Sequence, residues 1–173
     1  METRNEPILT RVPALGHSLH RWLVGIPVIL YAASVTFFGL YAYDDNLMWL
    51  RDGIVTNLVA VIAAVVAAVP GLIDLRAIPD EHPARSVAIG HASFMAAVLS
   101  LFAANLVANF HVLSAAIKGS IVMYRGFDGT VALVLTSTGL GLALCGGALG
   151  LVLAHRFRIG EAVPEHTHGP LTY

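Results

Sequence analysis

Charge is what this sequence has least of. Only 12% of its 173 residues are charged, where a soluble domain carries roughly a quarter. Cysteine is nearly absent as well. The single Cys145 excludes an internal disulfide and reads as a small residue facing lipid or another helix. No Cys-x-x-Cys-His occurs, which excludes covalent c-type haem attachment. No Gly-x-Ser-x-Gly and no His-Glu-x-x-His occurs, which argues against a classical hydrolase. Lysine and arginine form no patch and the net charge is −1, so no nucleic-acid partner is expected.

What is present is hydrophobicity, at 57% of residues and a mean hydropathy of +0.75. The few charges cluster and leave long gaps. Arg21 to Asp44 encloses 22 uncharged residues, Gly53–Ile73 gives 21, Ser86–Ile117 gives 32 and Gly129–Ala154 gives 26. A bilayer core of roughly 30 Å needs about 20 apolar residues in a helix. Each gap is long enough, which predicts an all-α, integral membrane four-helix bundle and little else. The division is residues 1–20 as an N-terminal interfacial segment, 21–156 as the four-helix domain and 157–173 as a flexible tail. Residues 1–20 are mixed and polar, and the first apolar run is too long for a signal-peptide core.

Basic residues orient the bundle. Four spans place Arg4, Arg11, Arg21, Arg76, Arg85, Arg156 and Arg158 on one side, and Arg51, Lys118 and Arg125 on the other. Seven against three predicts that both termini are cytoplasmic. The same topology gathers His17 and His20 (before span one), Asp74 (closing span two), His91 (opening span three) and His155 (closing span four) at one membrane face. Only His111 lies at the other. His82, His111 and the tail pair His166 and His168 read as interfacial polar groups.

Ionisable groups in a span face the bundle interior by default and mark function. At 100° per residue His91, Phe102, Asn105 and Asn109 share one stripe of span three, a polar stripe that should face the other helices and could serve a quinone. Span two carries Ala60, Ala63, Ala64, Ala67, Ala68 and Gly71. Span four carries Gly139, Gly141, Gly146, Gly147 and Gly150. These small residues suit close helix packing in lipid. Pro27 and Pro70 are expected to kink spans one and two. Ser34, Ser93, Ser100 and Ser137 should bond to a preceding carbonyl.

Three segments, 16-GHSLHRWLVGIP-27, 67-AAVPGLIDLRAIP-79 and 89-IGHASFMAAVLSLFAANL-106, resemble in order the first three spans of an uncharacterised bacterial membrane family, domain of unknown function 2231. The fourth, 146-GGALGLVLAHRFRIG-160, is a looser match. The resemblance spans roughly residues 16–160. Gly16, His17, His20, Leu23, Val24 and Pro27 match the family's opening motif. Ser18, Arg21, Gly25 and Ile26 depart from it, and Gly25 stands where the family has a further histidine. His91 matches the histidine heading span three. In span four Ala148 replaces a family glutamate, and His155 lies further from Gly147 than the family's histidine does. The resemblance implies redox work, because members of the family look fused to Rieske-type iron–sulfur or cytochrome modules.

Histidine is a standard axial ligand, and a helix bundle can present two from facing helices. The expectation is therefore a membrane electron-transfer subunit, not a stand-alone enzyme, holding one b-type haem near the cytoplasmic face. Its ligands are drawn from His20, His91, His17 and His155, with Arg21, Arg76 and Arg85 at the depth of the propionates. The alternative is a non-haem metal site of His20, His91, His17, His155 and Asp74, or a cofactor-free structural or assembly subunit. Asp74 is read either as an interfacial ion-pair partner of Arg76 or as the acceptor orienting a ligating imidazole. Expected partners are membrane lipid and either a second copy or a larger membrane redox complex, in the bacterial inner membrane.

Overall fold

The computed structural model describes residues 19–124 and 127–157. Five α-helices follow in order: α1 Leu19–Asp44, α2 Leu47–Ala77, α3 Ala84–Ala108, α4 Phe110–Lys118 and α5 Thr130–Arg156, with a 3-10 turn at Ile121–Tyr124. No strand occurs among the described residues. Helices α1, α2, α3 and α5 are each long and apolar enough to cross a bilayer.

The bundle is built from two antiparallel hairpins, α1–α2 and α3–α5. Helix α1 also packs on α5, and α2 on α3, so α1 and α3 stand on one diagonal and α2 and α5 on the other. The spanning helices are apolar all round. Branched aliphatics such as Ile29, Ile62, Val69 and Leu151 are exposed to the lipid side, while small, aromatic and amide side chains share the interior with aliphatics such as Leu50, Ile54, Val98 and Val112. Apolar side chains on both sides suit a bilayer solvent, since lipid gives no reason to hide a leucine.

Close approach explains three glycines. A methyl on Gly139 would stand 2.6 Å from a Phe102 ring carbon, one on Gly53 3.0 Å from the Phe38 ring, and one on Gly146 would collide with Met95 and Phe94. Gly141 and Gly147 face open space instead, so only part of the span-four glycine set serves packing.

The connections follow from local chemistry. Between α1 and α2, Asp45 adopts a left-handed conformation (φ 53°). Asn46 caps α2 by accepting from the Met48 N–H at 3.0 Å, as short polar side chains do at helix starts. Pro79 follows the end of α2, and α3 begins directly after Pro83. Helices α1 and α2 run through Pro27 and Pro70 without interruption.

One element goes beyond four spans. The 32-residue uncharged stretch is broken at Asn109, whose backbone leaves helical geometry (φ −111°, ψ 27°) and whose side chain turns back to donate to Asn105 O and Oδ1 at 3.0 and 2.8 Å. The chain restarts as α4, which buries Val112, Leu113, Ala115 and Ala116 and ends on left-handed Gly119 (φ 73°), the usual helix stop.

Candidate functional site

His20 lies in the first turn of α1 and His91 in the second turn of α3. Both are half-buried at the same end of the bundle. His20 Nδ1 is 3.0 Å from the Ala67 carbonyl oxygen of α2. His91 Nδ1 is 2.8 Å from the Gly146 carbonyl oxygen of α5. A carbonyl can only accept, so each Nδ1 carries its proton, and in the neutral ring each Nε2 keeps its lone pair.

The two contacts are built alike. One turn beyond Ala67 is Gly71, and one turn beyond Gly146 is Gly150. A methyl on Gly71 would stand 2.7 Å from His20 Cε1 and 3.2 Å from both ring nitrogens. A methyl on Gly150 would stand 3.2 and 3.3 Å from His91 Cε1 and Nδ1. Side chains on a helix lean toward its N-terminus, so the Cβ at position i+4 overlies the carbonyl of residue i. Glycine at that position uncovers the carbonyl for a donor arriving from the side.

His20 lies within electrostatic reach of both Asp74 and His91. Asp74 is half-buried, three residues beyond Gly71. It is not the group that orients these imidazoles, because backbone carbonyls do so for both. Arg85 is committed elsewhere. Its Nη1 donates to the carbonyls of Leu75 (2.9 Å) and Ile78 (2.7 Å), and its Nη2 pairs with Asp80 at 3.2 Å. It thereby closes the C-terminus of α2, where carbonyls lack intrahelical donors. Arg76 is exposed. His155 is exposed in the last turn of α5. His17, His166 and His168 lie outside the described residues, as does the Arg21 side chain. Among the described residues no group of three or more His, Cys, Asp or Glu side chains converges as a metal site.

A second polar feature lies deeper. Ser34, Asn57, Asn105 and Thr136, one from each spanning helix, are fully buried. Ser34 and Asn105 each lie fourteen residues beyond their histidine, about 21 Å further along the helix at 1.5 Å per residue. Ser34 Oγ donates to Gly53 O of α2 at 3.1 Å, not to a preceding carbonyl of its own helix. Ser93 and Ser100 do bond back within theirs. Asn57 Nδ2 donates to Phe102 O of α3 at 3.2 Å and ties the hairpins together. Asn57 Oδ1 and Asn105 Nδ2 have no partner among the described residues. Between the two layers Tyr31 and Phe102 meet across the diagonal, with ring centroids 3.9 Å apart.

The sequence reading missed Asn57, although a lone amide within a span of aliphatics was the available signal. At the far face His111 is exposed and lies beside Tyr124 and Phe127, at 5.5 and 6.2 Å, on an open cleft of about 370 Å³ that Lys118 and Ser120 also line.

Residues 16–163 match the family model described as "Predicted membrane protein (DUF2231)". The chain belongs to this family. The match covers the whole bundle, both histidines and both glycine-opened carbonyls. No curated protein and no solved structure matches the chain significantly.

Proposed function

We propose that this DUF2231 member is a membrane redox subunit that holds one b-type haem between His20 and His91, near the cytoplasmic face of the bacterial inner membrane. The observation that carries the reading is the paired tautomer. Two imidazoles at one face each spend Nδ1–H on a backbone carbonyl, which leaves Nε2 as the free donor atom. That is the arrangement by which proteins orient ligating histidines and raise their basicity. Gly71 and Gly150 supply the room for both rings.

In this reading His20 and His91 would hold the iron. Arg85 serves the end of α2. Bound haem would supply reversible one-electron transfer. The chain's own contribution is to fix both rings and keep a low-dielectric surrounding. All these groups sit at one end, so electrons would enter and leave at that face through a partner, either a second copy or a larger complex.

The test is haem and metal content of the detergent-purified protein, produced in haem-replete cells, beside His20→Ala, His91→Ala, His17→Ala and His155→Ala. Haem in the wild type, lost in the first two variants and retained in the last two, is the expected result. Haem absent from every sample, with stoichiometric zinc, copper or iron, would replace the reading with a non-haem metal site. Neither haem nor metal would leave the His–carbonyl contacts as helix clasps of a structural subunit.

A further inference from the structure

The two hairpins repeat one another. A constant offset of 71 residues carries His20 to His91, Tyr31 to Phe102 and Ser34 to Asn105. A constant offset of 79 carries Asn57 to Thr136, Ala67 to Gly146 and Gly71 to Gly150. The equivalences hold in burial: Tyr31, Phe102, Ser34, Asn105, Asn57 and Thr136 are all buried. They hold in chemistry, since each histidine bonds the carbonyl four residues before a glycine it overlies. They hold in packing, since α1 lies on α5 as α3 lies on α2. They even surface in sequence, as 30-LYAAS-34 against 101-LFAAN-105.

First helices α1 and α3 run in the same direction, so the operation relating the hairpins is a two-fold rotation about an axis along the membrane normal, the parallel type of internal repeat. Tyr31 and Phe102 are equivalents, and they touch each other. That places them on the axis. His20 and His91 each lie eleven residues before them, about three helical turns, so they share that axis-facing stripe and stand on opposite sides of the axis.

We infer that the chain is a fused pair of one histidine-bearing hairpin, and that the histidine layer forms a single site astride the axis, which takes one planar ligand with two equivalent coordinating faces. The inference rests on the redox reading for the identity of that ligand, haem, and adds the symmetry of its site: on the axis between the hairpins, gripped equally from both. Two features break the symmetry. Asp74 has Leu153 as its equivalent, so at this position only the His20 half carries a carboxylate. The last turns of α3 are replaced by α4 and the 3-10 turn, which have no counterpart between α1 and α2.

Two measurements on the full-length chain test this. The first is haem stoichiometry and coordination. One haem per chain is expected, with His20→Ala and His91→Ala losing the six-coordinate spectrum to the same extent and each regaining it when haem and imidazole are added together. Two haems per chain, or loss confined to one variant, overturns the shared site. The second needs no haem. In a Cys145→Ser background, spin labels at Ile29→Cys with Gly141→Cys, and separately at Ser100→Cys with Ile62→Cys, report two distances that the two-fold relates. All four positions are exposed. Coincident distance distributions are expected, and clearly different ones overturn the repeat. No haem with coincident distances overturns the redox reading and the ligand assigned to the axis, and leaves the paired-hairpin architecture standing.

Discussion

Replacing Gly71 by alanine separates ligand orientation from fold stability. Carbon atoms settle at about 3.5–4.0 Å, and the new methyl would stand 2.7 Å from His20 Cε1. The ring must therefore retreat by about 0.8 Å or more. Nδ1 starts 3.0 Å from Ala67 O, and a retreat of that size carries it beyond about 3.6 Å, where a hydrogen bond no longer counts. Losing an interhelical bond in a membrane protein costs about 0.6 kcal/mol. Alanine in a helix interior regains about 0.8–1 kcal/mol over glycine. The two nearly cancel, so thermal stability in detergent should hardly move. Haem affinity should fall by about 10- to 100-fold, the effect of losing a group that orients a ligand. The same reasoning ranks the series. Gly150→Ala, with contacts of 3.2 and 3.3 Å, asks the His91 ring for only a few tenths of an ångström and should cost less than Gly71→Ala. Gly147→Ala, which meets nothing within 4 Å, should leave haem affinity unchanged. Haem titration of the apoprotein, paired with thermal unfolding, reads both quantities. Equal affinities across the three variants, or an effect of Gly147→Ala as large as that of Gly71→Ala, would refute the glycine-opened carbonyl.

Other outcomes follow from the same contacts. Arg85→Met should lower thermal stability markedly, because the Leu75 and Ile78 carbonyls lose a charged donor worth about 1.5–3 kcal/mol each. Asp80→Asn should change it by at most about 1 kcal/mol, since the Asp80 side chain is 84% exposed and exposed pairs contribute little. Asn57→Leu should be nearly neutral in thermal melts, because it removes an unpartnered buried oxygen along with one bond to Phe102. Asn57→Asp should be strongly destabilising, because it buries a carboxyl there. The Thr130 hydroxyl and then its backbone N–H hold the exposed Asp128 carboxyl below its usual range. A depressed carboxyl stabilises the fold above its unfolded value and loses that effect as pH falls through the folded one. Asp128→Asn should therefore melt earlier than wild type at neutral pH and match it once the medium is acid enough to protonate Asp128.

The spans were legible because charge is intolerable in the bilayer core, so gaps between charges mark helices directly. The inward stripe of α3 was legible because helical period alone puts Phe102, Asn105 and Asn109 together, and all three are buried. Topology brought His20 and His91 to one face. The partners of those histidines were not legible. They are backbone carbonyls, which every residue carries, and the signal lies in a glycine one turn away on another helix. Helix α4 was hidden because Asn109 breaks a stretch in which no charged residue marks a boundary. Ser34 was read as bonding within its own helix, as Ser93 and Ser100 do, because sequence does not say which neighbouring backbone comes within reach. The hairpin repeat was masked by weak residue identity and by the chain that α4 inserts in the second copy.

The most direct test of the central claim is the reduced-minus-oxidised absorption spectrum of the full-length protein, purified from haem-replete cells. The unprotonated Nε2 atoms of His20 and His91 predict a Soret band with sharp reduced α and β bands, abolished in the double variant His20→Ala/His91→Ala. A featureless spectrum from the wild type, or an unchanged one from the double variant, would contradict it.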